Sequence, residues 1–152
     1  MEHAVQAWSP QLQKDILLLE KVQQRATRII PELKDKDYTQ RLKDLKLPSL
    51  EQRRARGDLI EVYKIMHGHE NLNRKDFFQL TREDRPYFLR GNSLNIITKE
   101  SNSSRRRHFF DIRTINAWNS LPEAIVSSSS INSFKNKLDL LITSRGGTIL
   151  RA

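Results

Sequence analysis

LQKDILLLEKVQQRATRII, residues 12–30, places Leu12, Ile16, Leu19, Val22 or Gln23, Ala26 and Ile29 at three- and four-residue steps. That is the spacing of one face of a helix. Ser9-Pro10 signals the start, and Pro31 stops the helix because proline cannot donate a backbone hydrogen bond. At 1.5 Å per residue such a helix is about 28 Å long. Lys14, Lys21, Arg25 and Arg28 fall on or beside the other side. The stretch therefore predicts a long amphipathic helix with an apolar inner face and a basic outer flank.

Outward from this segment the helical signals continue. After the charged loop Lys34–Lys36, Tyr38, Leu42 and Leu45 mark a short second helix that ends before Leu47-Pro48. Ser49-Leu50-Glu51-Gln52 is a capping box, in which serine and glutamine each satisfy one orphan backbone N–H. A third helix follows to His67, with Leu50, Ile60, Tyr63 and Met66 or His67 on its buried face. Gly57 inside it costs about 1 kcal/mol relative to alanine, which points to close approach of a neighbouring helix. Gly68 suits the left-handed position just past the end. Asn73–Leu80 has room for one or two turns around Phe77-Phe78.

The middle differs. Thr81–Ser104 carries Pro86, Gly91 and many polar residues, and Ser93–Thr98 alternates weakly around Leu94 and Ile96. A short strand, hairpin or extended loop fits there, with Asn102–Ser104 as a flexible link. Helical periodicity returns at Phe109, Ile112, Ile115 or Asn116, Trp118 or Asn119, and Leu121, until Pro122. Ser130 can cap a last helix carrying Ile131, Phe134, Leu138 and Leu141. The fold expected is mainly α, a small bundle of four or five helices with an irregular middle. Residues 1–145 would form one domain, and residues 146–152 a frayed tail.

Composition narrows the function. Of 152 residues, 37% are apolar and 30% charged, and 27 Lys and Arg against 18 Asp and Glu give a net charge of +9. Such a chain is attracted to polyanions, nucleic acid first. The absence of cysteine excludes disulfides, thiolate zinc sites and a cysteine nucleophile. No run approaches the about 20 apolar residues of a membrane helix. Met1-Glu2-His3 does not open a signal peptide, so an intracellular, unsecreted chain is expected, in nucleus or cytoplasm.

Catalytic motifs are missing. Gly57, Gly68, Gly91, Gly146 and Gly147 build neither a GxGxxG nor a Gly-Lys-Ser/Thr phosphate loop, and no serine sits in a GxSxG elbow. Glu83-Asp84 and Asp35/Asp37 read as solvated charge, and His67-Gly68-His69 as a helix end rather than metal ligands. The sequence thus predicts no catalytic residue, metal or cofactor. What it does supply is cations: Lys21, Arg25 and Arg28 on the first helix, Arg53, Arg54 and Arg56 opening the third, and Arg105, Arg106 and Arg107 beside His108 and Phe109-Phe110. Evenly placed cations neutralise phosphates without reading bases. Phe109, Phe110, Tyr87 and Trp118 could stack on unpaired bases, but Phe109 and Trp118 fall on the apolar stripe and are expected in the core.

Several blocks, in order, resemble a known family. They run Val5-Gln-Ala-Trp8-Ser-Pro10, Lys14-Asp15-Ile16, Leu19–Arg28, Tyr38–Leu42, Leu47–Glu51, Arg53-Arg54 and Arg56–Lys64. They resume at Arg107–Phe110, Asn116-Ala-Trp118-Asn119-Ser120-Leu121-Pro122 and Ser133–Asp139. Together they resemble the C-terminal, thumb-side region of reverse transcriptases from jockey-like and chicken-repeat-like non-LTR retrotransposons. The resemblance covers roughly residues 5–140. It implies that the family's catalytic aspartate pair, in a Phe/Tyr-Ala-Asp-Asp turn, belongs to an upstream region, and no such turn occurs here. Met1-Glu2-His3 resembles the family's Leu-Glu-Tyr.

The expected function is therefore that of a truncated, non-catalytic relative of a reverse transcriptase. It would hold RNA or an RNA–DNA hybrid by the backbone, with the first two basic sets forming one track. The alternatives are a protein-interaction or dimerisation module that docks its apolar helix faces on a partner or on itself, and a relic without function. No membrane association is expected.

Overall fold

The structure is a computed structural model that describes residues 4–84 and 91–145. The expectations for Pro86, Tyr87, the Met1-Glu2-His3 start and the 146–152 tail lie outside the described residues. The chain is mainly helical, and the described residues contain no strand. In chain order the helices are α1 (Val5–Trp8), α2 (Gln13–Arg28), α3 (Tyr38–Asp44), α4 (Leu50–Met66), α5 (Arg74–Phe77), α6 (Thr81–Asp84), α7 (Ser104–Arg107), α8 (Phe110–Arg113), α9 (Ile115–Asn119), α10 (Glu123–Val126) and α11 (Ile131–Ser144). A 3₁₀ turn at Pro31–Leu33 follows α2.

Local chemistry explains the boundaries. Ser49 and Gln52 close their capping box, with Gln52 N donating to Ser49 Oγ at 3.2 Å and Ser49 N to Gln52 Oε1 at 2.9 Å. Asp37, Asn73 and Ser130 cap α3, α5 and α11 through their side-chain oxygens. Gly68, at φ 69°, turns the chain out of α4. There His69 N donates to Lys64 O at 2.8 Å, the six-to-one bond of a Schellman ending.

The core gathers around α4. Leu59, Ile60, Val62, Tyr63 and Ile65 pack with Phe78, Ile96, Ile115, Trp118, Leu121, Ile125, Val126, Phe134 and Leu138. Tyr63 and Phe134 stack with ring centres 4.3 Å apart, and the buried Tyr63 hydroxyl donates to Ser128 O at 2.6 Å. The irregular middle is held by side chains rather than by a sheet. Leu80 and Ile96 make one isolated antiparallel bridge where a short strand or hairpin was possible. Asn119 pairs with both backbone groups of Ile96, accepting from its N–H at 2.9 Å and donating to its C=O at 2.8 Å. The Trp118 indole donates to Leu94 O, and Asn92 donates to Trp118 O and Leu121 O. Asn116–Pro122 thus works as a clamp on residues 92–96.

Three expectations are corrected. The helical run Phe109–Leu121 is two short helices that meet at Thr114. The Thr114 hydroxyl donates back to Phe110 O at 2.7 Å, a bond that competes with continuation of the helix. Phe109 is not in the core: it is 51% exposed and lies under the Arg106 guanidinium, 4.9 Å from its ring centre. The third correction concerns α2. Its predicted inner stripe is split, with Ile16, Leu19 and Gln23 half-buried but Leu12, Val22, Ala26 and Ile29 exposed. No α2 residue belongs to the core cluster.

Gly57 meets α1, yet the approach leaves room. A β-carbon there would meet Val5 Cγ1 at 3.8 Å, an ordinary van der Waals distance. Gly57→Ala should therefore recover the helix propensity, about 1 kcal/mol, and raise the thermal midpoint by several degrees. Thermal unfolding followed by circular dichroism checks this; a lower midpoint would mean that α1 sits tighter on α4 than this distance allows.

Candidate interaction surface

The inner face of α2 is mixed, with polar side chains set among half-buried Ile16 and Leu19. Ile16, Glu20, Gln23 and Thr27 follow one another at four- and three-residue steps and point at α3, α4 and the loop between them. Glu20 accepts from the Tyr38 hydroxyl and from Leu50 N at 3.1 and 3.3 Å. A carboxylate at the first turn of α4 also meets the positive end of that helix. Burial pushes the Tyr38 phenol far above its ordinary value, and the Glu20 carboxylate adds to the rise. Gln23 Nε2 donates to Pro48 O at 3.0 Å. Arg41, only 7% exposed, donates to Thr27 Oγ1 at 3.1 Å and to Lys36 O at 2.5 Å, and reaches Gln24 O at 3.4 Å. These bonds satisfy polar groups that burial would otherwise penalise.

The outer face is apolar. Leu18 is 58% exposed, Val22 46% and Ile29 80%, and with exposed Ala26 they form one strip at four- and three-residue steps. At 1.5 Å per residue the strip runs about 17 Å. Leu12 is exposed beside the strip, and Leu17 on the far side of Lys21 and Arg28. Single exposed leucines are ordinary, but a contiguous apolar strip on one helix marks a contact surface.

The nine basic residues singled out in the sequence divide into groups. Lys21, Arg25 and Arg28 are exposed on α2, directly beside the apolar strip, and make no ion pair among the described residues. Arg53 is exposed, but Arg54 is buried at 5% exposure in the field of Asp58. Arg56 is bidentate to Asp139 of α11, at 2.6 and 2.8 Å, so its fork faces a carboxylate of its own chain. Arg106 likewise grips Asp111 at 2.7 and 2.6 Å, while Arg105 and Arg107 are exposed. The sequence could not separate these cases, because their partners lie on other elements.

Beside Arg106 lies an open cleft of about 460 Å³, lined by Gln6, Asp76, Phe77, Phe109 and Arg113 among others. Its two guanidiniums are both committed, Arg106 to Asp111 and Arg113 to Asp58. Burial raises the Asp111 carboxyl, but Arg106 and Lys99 outweigh it and hold the group below its usual value of 3.8. Its contribution to stability is thus fully present above the unfolded value and lost as pH falls through the lower folded one. Asp111→Asn should flatten that part of the acid limb, measured as urea midpoints between pH 2 and pH 5. An unchanged limb would mean that the pair is not formed in solution.

The His67-Gly68-His69 segment closes α4. His67 Nε2 lies 2.9 Å from Val126 O, and its ring packs 4.2 Å from that of Tyr63. Among the described residues, no three His, Asp or Glu side chains are grouped to hold a metal ion, and no helix is long and apolar enough to cross a membrane. No family model matches the chain, and no curated protein or solved structure is similar to it, so the retrotransposon resemblance rests on the quoted residues alone.

Proposed function

We propose that the chain is a non-catalytic protein-interaction module that docks through the outer face of α2, derived from the C-terminal region of a non-LTR retrotransposon reverse transcriptase. The observation that carries this reading is the orientation of α2, which puts Leu18, Val22, Ala26 and Ile29 in water. A helix gains from burying such a strip, and this chain turns inward a side that carries Glu20, Gln23 and Thr27 instead. A benzophenone side chain in place of Leu18, in cells that express the chain, should give photo-adducts that resist ribonuclease and are destroyed by protease. Adducts to RNA alone, or none, would overturn the reading.

A second reading, backbone binding of RNA or an RNA–DNA hybrid, is favoured by the unpaired strip Lys21, Arg25 and Arg28. Each phosphate neutralised gives about one unit of salt slope, so Arg25→Gln should lower that slope by about one on any sequence. Fluorescence anisotropy with duplex RNA across a salt series separates the two readings. A flat salt dependence removes the second.

A further inference from the structure

We infer that the occupant of the α2 strip is an amphipathic helix of another protein, apolar at four- and three-residue steps and acidic along one flank. The inference rests on the interaction-module reading above and adds the chemistry of the partner. At about 100° per residue, Leu18, Val22, Ala26 and Ile29 occupy one sector of α2, and Lys14, Lys21, Arg25 and Arg28 the sector immediately to one side. All four cations are exposed. On the other side the sector holds Leu19 and Leu12, with no cation, and Asp15 falls in line with the strip itself, one turn before Leu18. A partner lying on the strip thus meets the cations of α2 along one edge only.

That asymmetry selects among occupants. In an antiparallel pair of α2 helices, like flanks face each other across the two-fold axis, so the basic edge would meet itself. In a parallel pair the basic edge would face the opposite flank, where Leu19 and Leu12 offer no carboxylate. A net charge of +9 opposes self-association further. An anionic bilayer is best met by cations on both sides of an apolar strip, and here one side of α2 has none and Asp15 stands in line with the strip. A helix with a single acidic flank satisfies both the strip and its edge, as in helix-in-groove recognition. Three turns of such a helix match the about 17 Å of the strip.

The test is selection of a yeast-displayed library of randomised 16-residue helical peptides against the intact chain. Enriched peptides should be net acidic, with apolar residues at four- and three-residue steps. Their affinity should fall at least about tenfold on Leu18→Ser/Val22→Ser, a neutral change, and by a similar factor on Arg25→Glu/Arg28→Glu. All four positions are exposed, so unchanged circular dichroism is expected and confirms that the variants fold. Neutral or basic winners would overturn the inference. So would acidic winners indifferent to Leu18→Ser/Val22→Ser, a self-association removed by that variant, or serine-sensitive binding to phosphatidylserine vesicles without any peptide winner. Should the Leu18 photo-adducts to protein form while the selection fails, the acidic-helix inference falls alone. Without those adducts, both fall.

Discussion

Replacing Trp118 with alanine should cost about 3–5 kcal/mol, a large share of the stability of a domain whose total is typically about 5–15 kcal/mol. Trp118 is 0% exposed and packs against Phe134, with ring centres 6.1 Å apart. Its loss removes that apolar area, leaves a cavity, and orphans Leu94 O, to which the indole donates at 2.9 Å. Two regions should respond together, the α9–α11 core and the 92–96 segment that the Asn116–Pro122 clamp holds. Urea unfolding measures the loss, and Trp118→Phe, which keeps most of the volume, should cost clearly less. Equal costs for the two variants would show that the indole hydrogen bond, not packing, dominates.

Asp58→Ala should be of comparable size, about 3–5 kcal/mol, for a different reason. Asp58 binds Arg113 with two bonds of 3.0 Å, and Arg113 also donates to His108 O at 2.9 Å. Burial pushes the Asp58 carboxyl above the ordinary range, against the pull of Arg113 and Arg54. Taking charges out of water is costly, so the pair is tolerated rather than strongly stabilising. Removing only the carboxylate leaves Arg113 at 19% side-chain exposure and Arg54 at 5% residue exposure without its charge. Asp58→Ala/Arg113→Ala should therefore cost less than the sum of the two single changes, and denaturant midpoints of the three variants check this. Strict additivity would mean that the two residues do not interact.

What the sequence disclosed follows the range of the forces involved. Caps and stops act within a few residues, so Ser49/Gln52, Gly68, Ser130 and Pro31 could be read directly, and α4 and α11 lie where they were expected. The break at Thr114 was not legible. A threonine inside a periodic run carries no signal that its hydroxyl will turn back on Phe110 O. The orientation of α2 was also hidden. Its period is plain, but which side faces inward depends on partners far along the chain: Tyr38, Arg41, Pro48 and Leu50. Gln23 was one of two candidates for the inner face, but nothing nearby in sequence announces its bond to Pro48 O or the bonds of Glu20 and Thr27. The basic clusters show the same limit. Arg56 and Arg106 read like Lys21 and Arg25 until Asp139 and Asp111 are brought against them.

Thiol reactivity tests the orientation of α2 most directly, because the chain has no cysteine of its own. Val22→Cys and Thr27→Cys place one thiol on each side of the helix, and Val62→Cys supplies a buried reference. The structure has Val22 46% exposed, Thr27 4% and Val62 0%. Labelling with a disulfide reagent under native conditions should modify Val22→Cys at close to the rate of the urea-unfolded chain. Thr27→Cys and Val62→Cys should be slower by at least about tenfold. A protected Val22→Cys beside a fast Thr27→Cys would mean that α2 turns its apolar side inward after all, and the docking surface would not exist.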